Sequence, residues 1–298
     1  MRNAFIEELL LLAETNPKVV LVVGDLGFSV VEPFASKFPD RFINAGVAEQ
    51  NMTGLAAGMA SEGFHVFTYS IANFPTFRCA EQIRNDIAYH NLPVTVVSVG
   101  GGLAYGALGY SHHAVQDYGL MRCFPNMDIF APGDPAEVRA SMRYLGKNPG
   151  PSYLRLGKAG EKVFHQVVPI IEPGRWLCVR KSPIANSKRT LLTTGATLGV
   201  AMNLVLQNKD FEEFDVHTLP VWGIASKMAQ QAFVDRYESI VTLEDHLKDA
   251  GFGSWLMESL RSDSIAKIKI NALDANVCGL VGQQEVLNNA GGLGIIEK

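Results

Sequence analysis

The 298-residue sequence has only four cysteines, and they lie far apart, at Cys79, Cys123, Cys178 and Cys278. They form no Cys-x-x-Cys pair and no Cys/His metal pattern, so we expect reduced thiols and no cysteine-based metal site. No apolar run approaches the roughly 18 residues that a transmembrane helix needs. The first residues mix charged and apolar side chains, unlike a secretory signal peptide. These absences predict a cytoplasmic protein without membrane contact.

The sequence also lacks a strong net charge. The chain has 26 Lys and Arg residues against 30 Asp and Glu residues, and its net charge of −4 comes without a Lys/Arg-rich run, so we expect no nucleic-acid partner. Hydrophobic residues make up 47% of the chain and charged residues 19%, which is typical of a globular protein. The length allows one large domain or two ordinary ones.

Strand and helix signals alternate through the first half of the chain. The expected strands lie at 18–23, 64–69, 94–99, 127–130 and 152–155. The expected helices lie at 3–15, 48–62, 76–90, 115–123 and 134–146. Strands separated by helices predict a parallel sheet that is covered on both faces.

A second alternation follows a stretch with weaker periodicity. Residues 161–187 are expected to form a linker that contains one strand. Beyond it, strands are expected at 189–194, 216–219, 239–243 and 267–270, and helices at 197–207 and 252–261. The sequence therefore predicts an α/β protein with two doubly wound domains, at 1–160 and 188–298.

Glu49 is a candidate functional acid, since ligands of open parallel sheets bind beyond the carboxyl ends of the strands. It follows a short strand and lies in the first turn of an apolar helix. An acid in this position commonly complements the helix dipole. The alternative is a partly buried acid that exchanges a proton with a ring nitrogen. Spacing alone leaves both interpretations open.

Other candidates lie in loops that follow predicted strands. A loop with five glycines at 100–109 leads to His112, and glycine lets the backbone approach a ligand closely. No helix opens at the spacing of a dinucleotide fingerprint. Phe74, at a helix start, is either a core residue or a stacking platform. Asp25 and Ser29 bracket a strand-to-helix turn, in which Ser29 is also suited to cap the helix.

These segments together resemble the second half of a transketolase. The match is most specific in Pro39-Asp-Arg-Phe-Ile-Asn-Ala-Gly-Val-Ala-Glu-Gln-Asn-Met52. Further segments match in order: Glu81-Gln-Ile-Arg84, Met121-Arg122, Phe124-Pro-Asn-Met127, Pro151-Ser-Tyr-Leu-Arg-Leu156 and Ile240-Val-Thr-Leu-Glu-Asp-His246. The resemblance implies a thiamine-diphosphate (ThDP) pyrimidine-binding domain at 1–160 and a transketolase C-terminal-like domain at 188–298.

The resemblance also implies roles for individual residues. Glu49 matches the glutamate that hydrogen-bonds the cofactor pyrimidine and activates the cofactor, and Phe74 matches the ring that stacks on that pyrimidine. Asp25 is the third expected cofactor-binding residue.

A second group is expected to act on the substrate. His112 matches a substrate-facing histidine and, with Glu49, is an expected catalytic residue. Ser29 and Lys158 complete the expected substrate-binding set, which implies no metal ligand in this chain.

The resemblance further implies a partner chain. Transketolases bind the diphosphate and a divalent metal through a Gly-Asp-Gly…Asn motif, and this sequence lacks that motif. The ligands of Mg²⁺ or Ca²⁺ are therefore expected on a separate N-terminal diphosphate-binding subunit, in an α2β2 heterotetramer. The expected activity, present only in that assembly, is transfer of a two-carbon ketol or acyl unit between carbonyl or sugar substrates.

Four positions depart from the family pattern. Ala107 and Leu108 replace two acids, Gly100 replaces a histidine, and Lys158 replaces an arginine, which keeps the charge but loses the bidentate geometry. The departures predict an unusual substrate that is less hydroxylated, unphosphorylated or linked to a nucleotide.

Two alternatives remain. Gly101-Gly-x-x-x-Gly-x-x-Gly-x-x-His112 is also similar to the β subunit of 2-oxo acid dehydrogenases, which implies decarboxylation of a 2-oxo acid. The segments Glu81–Arg84 and Met121–Arg122 favour the transketolase side. A non-catalytic scaffold subunit with the same fold is the third interpretation, and the presence of Glu49, Phe74 and His112 disfavours it.

Overall fold

The computed structural model describes residues 1–296, in which twelve strands form two sheets. The strands are β1 (Val19–Val23), β2 (Phe42–Asn44), β3 (His65–Ile71), β4 (Val94–Val99), β5 (Asp128–Phe130), β6 (Ser152–Leu156), β7 (Leu177–Arg180), β8 (Arg189–Thr193), β9 (Asp215–Thr218), β10 (Val221–Gly223), β11 (Ser239–Leu247) and β12 (Ile268–Leu273). The expected α/β fold with two parallel-dominated sheets is confirmed.

The same residues contain twelve α-helices. They are α1 (Arg2–Thr15), α2 (Glu32–Lys37), α3 (Glu49–Ser61), α4 (Phe74–Phe77), α5 (Ala80–Gln82), α6 (Asp117–Met121), α7 (Pro135–Lys147), α8 (Thr197–Gln207), α9 (Gln230–Val234), α10 (Phe252–Met257), α11 (Ser262–Ile265) and α12 (Gln284–Ala290).

The first sheet has the strand order β10-β5-β6-β4-β3-β1-β2. Its strands are parallel except β10, which pairs antiparallel with β5. Strands β1 and β4 are buried along their whole length, as expected for β-branched runs with helices on both faces. The carboxyl ends of the parallel strands lie side by side at one edge of the sheet.

The second sheet has the order β12-β11-β8-β9-β7, with β7 antiparallel to β9 at the edge. Strand β7 is the single strand expected within 161–187. The sequence does not predict strand β10, which returns from the second half of the chain to the first sheet. The proposed domain limits stay a prediction, and residues 297–298 of the second domain lie outside the described residues.

One expected helix, at 76–90, is wrong as a continuous element. The chain forms α4, breaks at Arg78 and Cys79, resumes as α5 and ends in a π-helical stretch at Ile83–Ala88. The hydroxyl of Thr76 donates back to the carbonyl oxygen of Ala72 at 2.8 Å, which tightens the first turn before the break. Such π-helical insertions often occur at functional sites. The helices expected at 115–123 and 252–261 are shorter, as α6 and α10.

A buried ionic cluster joins the two sheets. Arg155 on β6 is 3% exposed and donates to Asp117 at 2.7 Å and to Asp245 on β11 at 2.5 Å. Its guanidinium also lies 4.3 Å from the ring centre of Tyr118. Because the two aspartates belong to different parts of the chain, the cluster ties the glycine-rich loop and both sheets together.

Candidate active site

The candidate site lies beyond the carboxyl ends of β1, β3, β4 and β6. These strands are neighbours in the first sheet, and the loops that follow them carry Asp25, Phe74, His112 and Lys158. The carboxyl edge of a parallel sheet is where such folds bind ligands.

Glu49 is the buried acid of the site. It opens α3 and is 3% exposed. Its Oε2 accepts a hydrogen bond from Arg78 at 3.1 Å, whereas its buried Oε1 has no partner within residues 1–296. A helix-dipole role explains the position in the first turn, but it does not explain a buried oxygen without a partner, which is unfavourable unless water or a ligand satisfies it.

Arg78 links Glu49 to the predicted aromatic platform. Its guanidinium carbon lies 4.4 Å from the ring centre of Phe74. The Phe74 ring meets the ring of His112 edge-on, with 5.2 Å between the ring centres. Three predicted residues are thus brought together, and Arg78, which sequence reasoning missed, is the contact between two of them.

His112 lies at the end of the glycine-rich loop, in a 3₁₀ turn at Tyr110–His112. Asn73 holds this loop, because its amide donates to the carbonyl oxygens of Ser111 and His113 at 3.1 and 2.7 Å. Burial, and then the neighbouring His113 and Arg78, lower the pKa of His112 below its ordinary value of 6.5. The imidazole is therefore neutral at pH 7 and available to accept a proton.

Lys158 joins the site through a tyrosine. Its Nζ lies 4.9 Å from the ring centre of Tyr105, and the Tyr105 ring is 6.4 Å from that of His112. Sequence reasoning missed Tyr105 too. The resulting line of contacts, which we term the site row, consists of Glu49, Arg78, Phe74, His112, Tyr105 and Lys158.

Asp25 lies beside the row. It adopts a left-handed backbone conformation with φ of 54° and exchanges hydrogen bonds with Asn44: its amide donates to Asn44 Oδ1 at 3.1 Å and its Oδ1 accepts from Asn44 Nδ2 at 2.9 Å. The preceding Gly24 is in contact range of Glu49, since a Cβ at Gly24 would lie 3.7 Å from Glu49 Cγ. Asp25 thus follows directly on a residue that borders the buried acid.

Ser29 lies apart from the row. Its amide donates to Glu32 Oε1 at 2.7 Å, and within residues 1–296 it makes no hydrogen bond to a member of the row. It does not cap α2 either, because Val31 holds the N-cap position and Ser29 has a left-handed φ of 65°. Its substrate role stays a prediction that the contacts of this chain do not support.

Comparison with known proteins identifies the family. The sequence profile of the transketolase pyrimidine-binding domain matches residues 1–160, more than half of the chain. The chain belongs to the transketolase family.

Its relatives include subunits of split transketolases. The chain is 30% identical to one subunit of the apulose-4-phosphate transketolase of Phocaeicola vulgatus, a match that covers 93% of this chain and 88% of that protein. It is 27% identical to 6-deoxy-6-sulfo-D-fructose transketolase subunit SqwH of a Clostridium species, over 98% and 90% of the two chains. A solved structure described as a split gene transketolase, inactive beta4 tetramer, superposes with a TM-score of 0.80 and 28% identity, covering 98% of this chain and 93% of that one.

In this transketolase-family chain, no group of three or more His, Cys, Asp or Glu side chains within residues 1–296 is placed to hold a metal ion. The four cysteines are free. Among the helices of the described residues, none is both long and apolar enough to cross a membrane.

Proposed function

We propose that this chain is the pyrimidine-binding subunit of a split, ThDP-dependent transketolase-like enzyme, which transfers a two-carbon ketol unit between carbonyl substrates. The observation that carries the proposal is the buried Glu49, with one oxygen unpartnered within residues 1–296, linked through Arg78 to the ring of Phe74. An acid and an aromatic face in this arrangement suit a planar ring that donates N–H groups.

The residues fit the aminopyrimidine of ThDP. The guanidinium of Arg78 resembles the aminopyrimidine in two respects, because it is planar and carries N–H donors. It bonds to Glu49 at 3.1 Å and lies 4.4 Å from the ring centre of Phe74, so one planar donor already reaches both groups. Glu49, Phe74 and the neighbouring Asp25 are the residues that would hold the pyrimidine.

When bound, ThDP supplies a carbon nucleophile and an electron sink for cleavage next to a carbonyl. Glu49 would hold a proton between its carboxylate and the pyrimidine nitrogen, and its burial would keep water from competing for that hydrogen bond. Neutral His112 would hydrogen-bond a substrate oxygen or take up its proton. Lys158 would attract an anionic group at the far end of the substrate.

A partner subunit completes the proposal. The diphosphate and its Mg²⁺ or Ca²⁺ would be held by an N-terminal subunit, in an α2β2 assembly. Two exposed apolar side chains on the loops that carry the site support this: Phe28, in the loop after β1, is 76% exposed, and Val47, two residues before Glu49, is 73% exposed. Apolar surface that a monomer would leave in water is typical of protein interfaces. A cytoplasmic location, where free thiols stay reduced, is part of the same proposal.

The substrate is proposed to carry an anionic end. The names of the two relatives mention apulose 4-phosphate and 6-deoxy-6-sulfo-D-fructose, and each name includes an anionic phosphate or sulfo group. Lys158 offers the matching charge. The exposed apolar side chain of Leu108 also suits an acyl unit from a 2-oxo acid such as pyruvate, which is the second candidate reaction.

Calorimetry with ThDP and Mg²⁺ tests the assembly. We expect binding when the chain is mixed with its N-terminal transketolase subunit, for which the product of an adjacent gene is the first candidate, and no binding to this chain alone. Tight binding by the chain alone would contradict the division of the site between two subunits.

Hydrogen–deuterium exchange at C2 of bound ThDP tests the role of Glu49. Glu49→Gln should slow this exchange in the complex by about 10²- to 10⁴-fold, the usual contribution of a positioned acid or base. The matched control is Glu62→Gln, which changes an exposed glutamate at the other end of α3 and should leave exchange unchanged. Equal rates in the two variants would refute the assignment.

A further inference from the structure

The Tyr105 ring occupies the space above Gly100. Gly100 directly follows β4 and has a left-handed φ of 80°. A Cβ at this position would overlap the Cδ2 and Cε2 atoms of Tyr105, because it would lie much closer than 3.0 Å to both, a separation that Cβ atoms in proteins almost never show. A side chain at position 100 and the Tyr105 ring therefore exclude each other.

The ring forms part of the wall at the substrate end of the site row. It is half-buried and stands between His112, 6.4 Å away, and the Lys158 ammonium, 4.9 Å away. Its backbone carbonyl accepts a hydrogen bond from the amide of Leu108 at 2.9 Å, which fixes Leu108 on the same turn. The Leu108 side chain is 58% exposed.

We propose that Tyr105 is a specificity-determining residue, an inference that rests on the proposed function. The face of its ring gives this end of the site an apolar wall, and Lys158 adds a cation beside it. The exposed side chain of Leu108 adds apolar surface on the 3₁₀ turn that follows Tyr105. A hydroxyl group pressed against such a wall would lose water without gaining a partner, whereas C–H groups pack favourably on it. The site thus selects carbonyl substrates that have few hydroxyl groups next to the reacting carbon and an anionic group further along.

Thermal unfolding tests the packing without any need for activity. Gly100→Ala should lower the melting temperature by several degrees more in the wild-type chain than in a Tyr105→Ala chain, because the added methyl group meets the ring only in the former. Gly63→Ala is the matched control, since Gly63 has a similar φ of 84° and a Cβ added there would meet no atom within 4 Å. The Gly63→Ala substitution should lower the melting temperature equally in both backgrounds. An equal effect of Gly100→Ala in both backgrounds would overturn the packing argument.

Acceptor competition tests the selectivity, in the complex with the N-terminal subunit, ThDP and Mg²⁺, and with hydroxypyruvate as donor. Propanal and D-glyceraldehyde have the same carbon chain and differ by two hydroxyl groups. We expect kcat/KM to favour propanal in the wild type, and Tyr105→Ala to reduce that preference about tenfold, within the range that one pocket contact commonly supplies. Tyr105→Phe keeps the ring and should keep the preference.

The outcomes separate this inference from the function on which it rests. The role of Tyr105 alone would be overturned if the enzyme turns over but Tyr105→Ala leaves the preference for propanal unchanged. It would also be overturned if the wild type prefers glyceraldehyde. Absence of turnover with every donor and acceptor, even when the melting result is as expected, would overturn the proposed function and the substrate class with it.

Discussion

Replacing Arg155 by methionine tests how the glycine-rich loop is held under the site. Arg155 donates to both Asp117 and Asp245, and its Nη2 donates to the carbonyl oxygen of Ala114 at 2.7 Å. A Cβ on Gly101 would overlap its guanidinium, so the loop that leads to His112 lies directly on the cluster. Methionine fills part of the volume but leaves two buried carboxylates without their cation.

The magnitude follows from the burial of all three groups. Breaking a buried ion pair by removing one partner costs about 3–5 kcal/mol, because an uncompensated charge stays behind. Here two carboxylates are left, both almost fully buried, so we expect the upper part of that range. For a chain of this size, each kcal/mol corresponds to roughly 2–4 °C in melting temperature, which predicts a fall of about 10 °C or more.

Calorimetric melting of three variants decides the matter. Arg189→Met is the control, because Arg189 forms an exposed pair with Glu213, and exposed pairs are worth about 0–1 kcal/mol. Adding Asp117→Asn and Asp245→Asn to Arg155→Met should recover part of the loss, since both buried charges are then removed. A melting temperature for Arg155→Met no lower than that of Arg189→Met would refute the reasoning.

Three further predictions concern histidines and Leu108. His112→Ala should slow turnover and leave ThDP binding, measured by calorimetry, nearly intact, and loss of cofactor binding would show that His112 has another role. Wild-type turnover should fall as the pH drops below 6.5 towards the lowered pKa of His112. Burial lowers the pKa of His65 and of His217 to about 4. Between pH 6.5 and 4 the unfolded chain therefore binds more protons than the folded chain. As the pH falls through that range, each histidine should lower the free energy of unfolding by up to about 3 kcal/mol. Urea unfolding at pH 7 and pH 5 measures this, and a stability independent of pH would contradict it. Leu108→Asp should improve kcat/KM for hydroxylated ketose phosphates. If kcat/KM does not improve, residue 108 does not set the preference for less hydroxylated substrates.

The sheets could be predicted because their signals are local. The buried runs at Val19–Val23 and Val94–Val99 have the β-branched composition of strands covered on both faces. Strand β10 could not be predicted in the same way, because Val221–Gly223 is short and its place is set by antiparallel pairing with β5. The break after α4 could not be predicted either, and Arg78 at that break bonds to Glu49, which is 29 residues away in the sequence.

The candidate site shows the same division. Glu49, Phe74 and His112 belong to segments with a recognisable pattern, and the structure brings them together. Arg78 belongs to one of those segments, but its partners are 29 and 4 residues away, Glu49 and Phe74 respectively, and only the folded chain shows that one guanidinium meets both. Composition and spacing carry no signal for such a contact.

Tyr105 also lies next to three of the four positions that depart from the family pattern. Gly100 leaves room for the ring, Leu108 is bonded to its carbonyl, and Lys158 lies over its face. Substitutions that are separate in the sequence therefore act on one wall of the site. Leu108→Asp alone would add a carboxylate to the turn that follows Tyr105, while the Tyr105 ring still fills the space above Gly100. Its benefit for hydroxylated substrates should therefore grow when Tyr105→Ala is added. If the effects of Leu108→Asp and Tyr105→Ala on kcat/KM are additive, the two side chains do not act on the same part of the site.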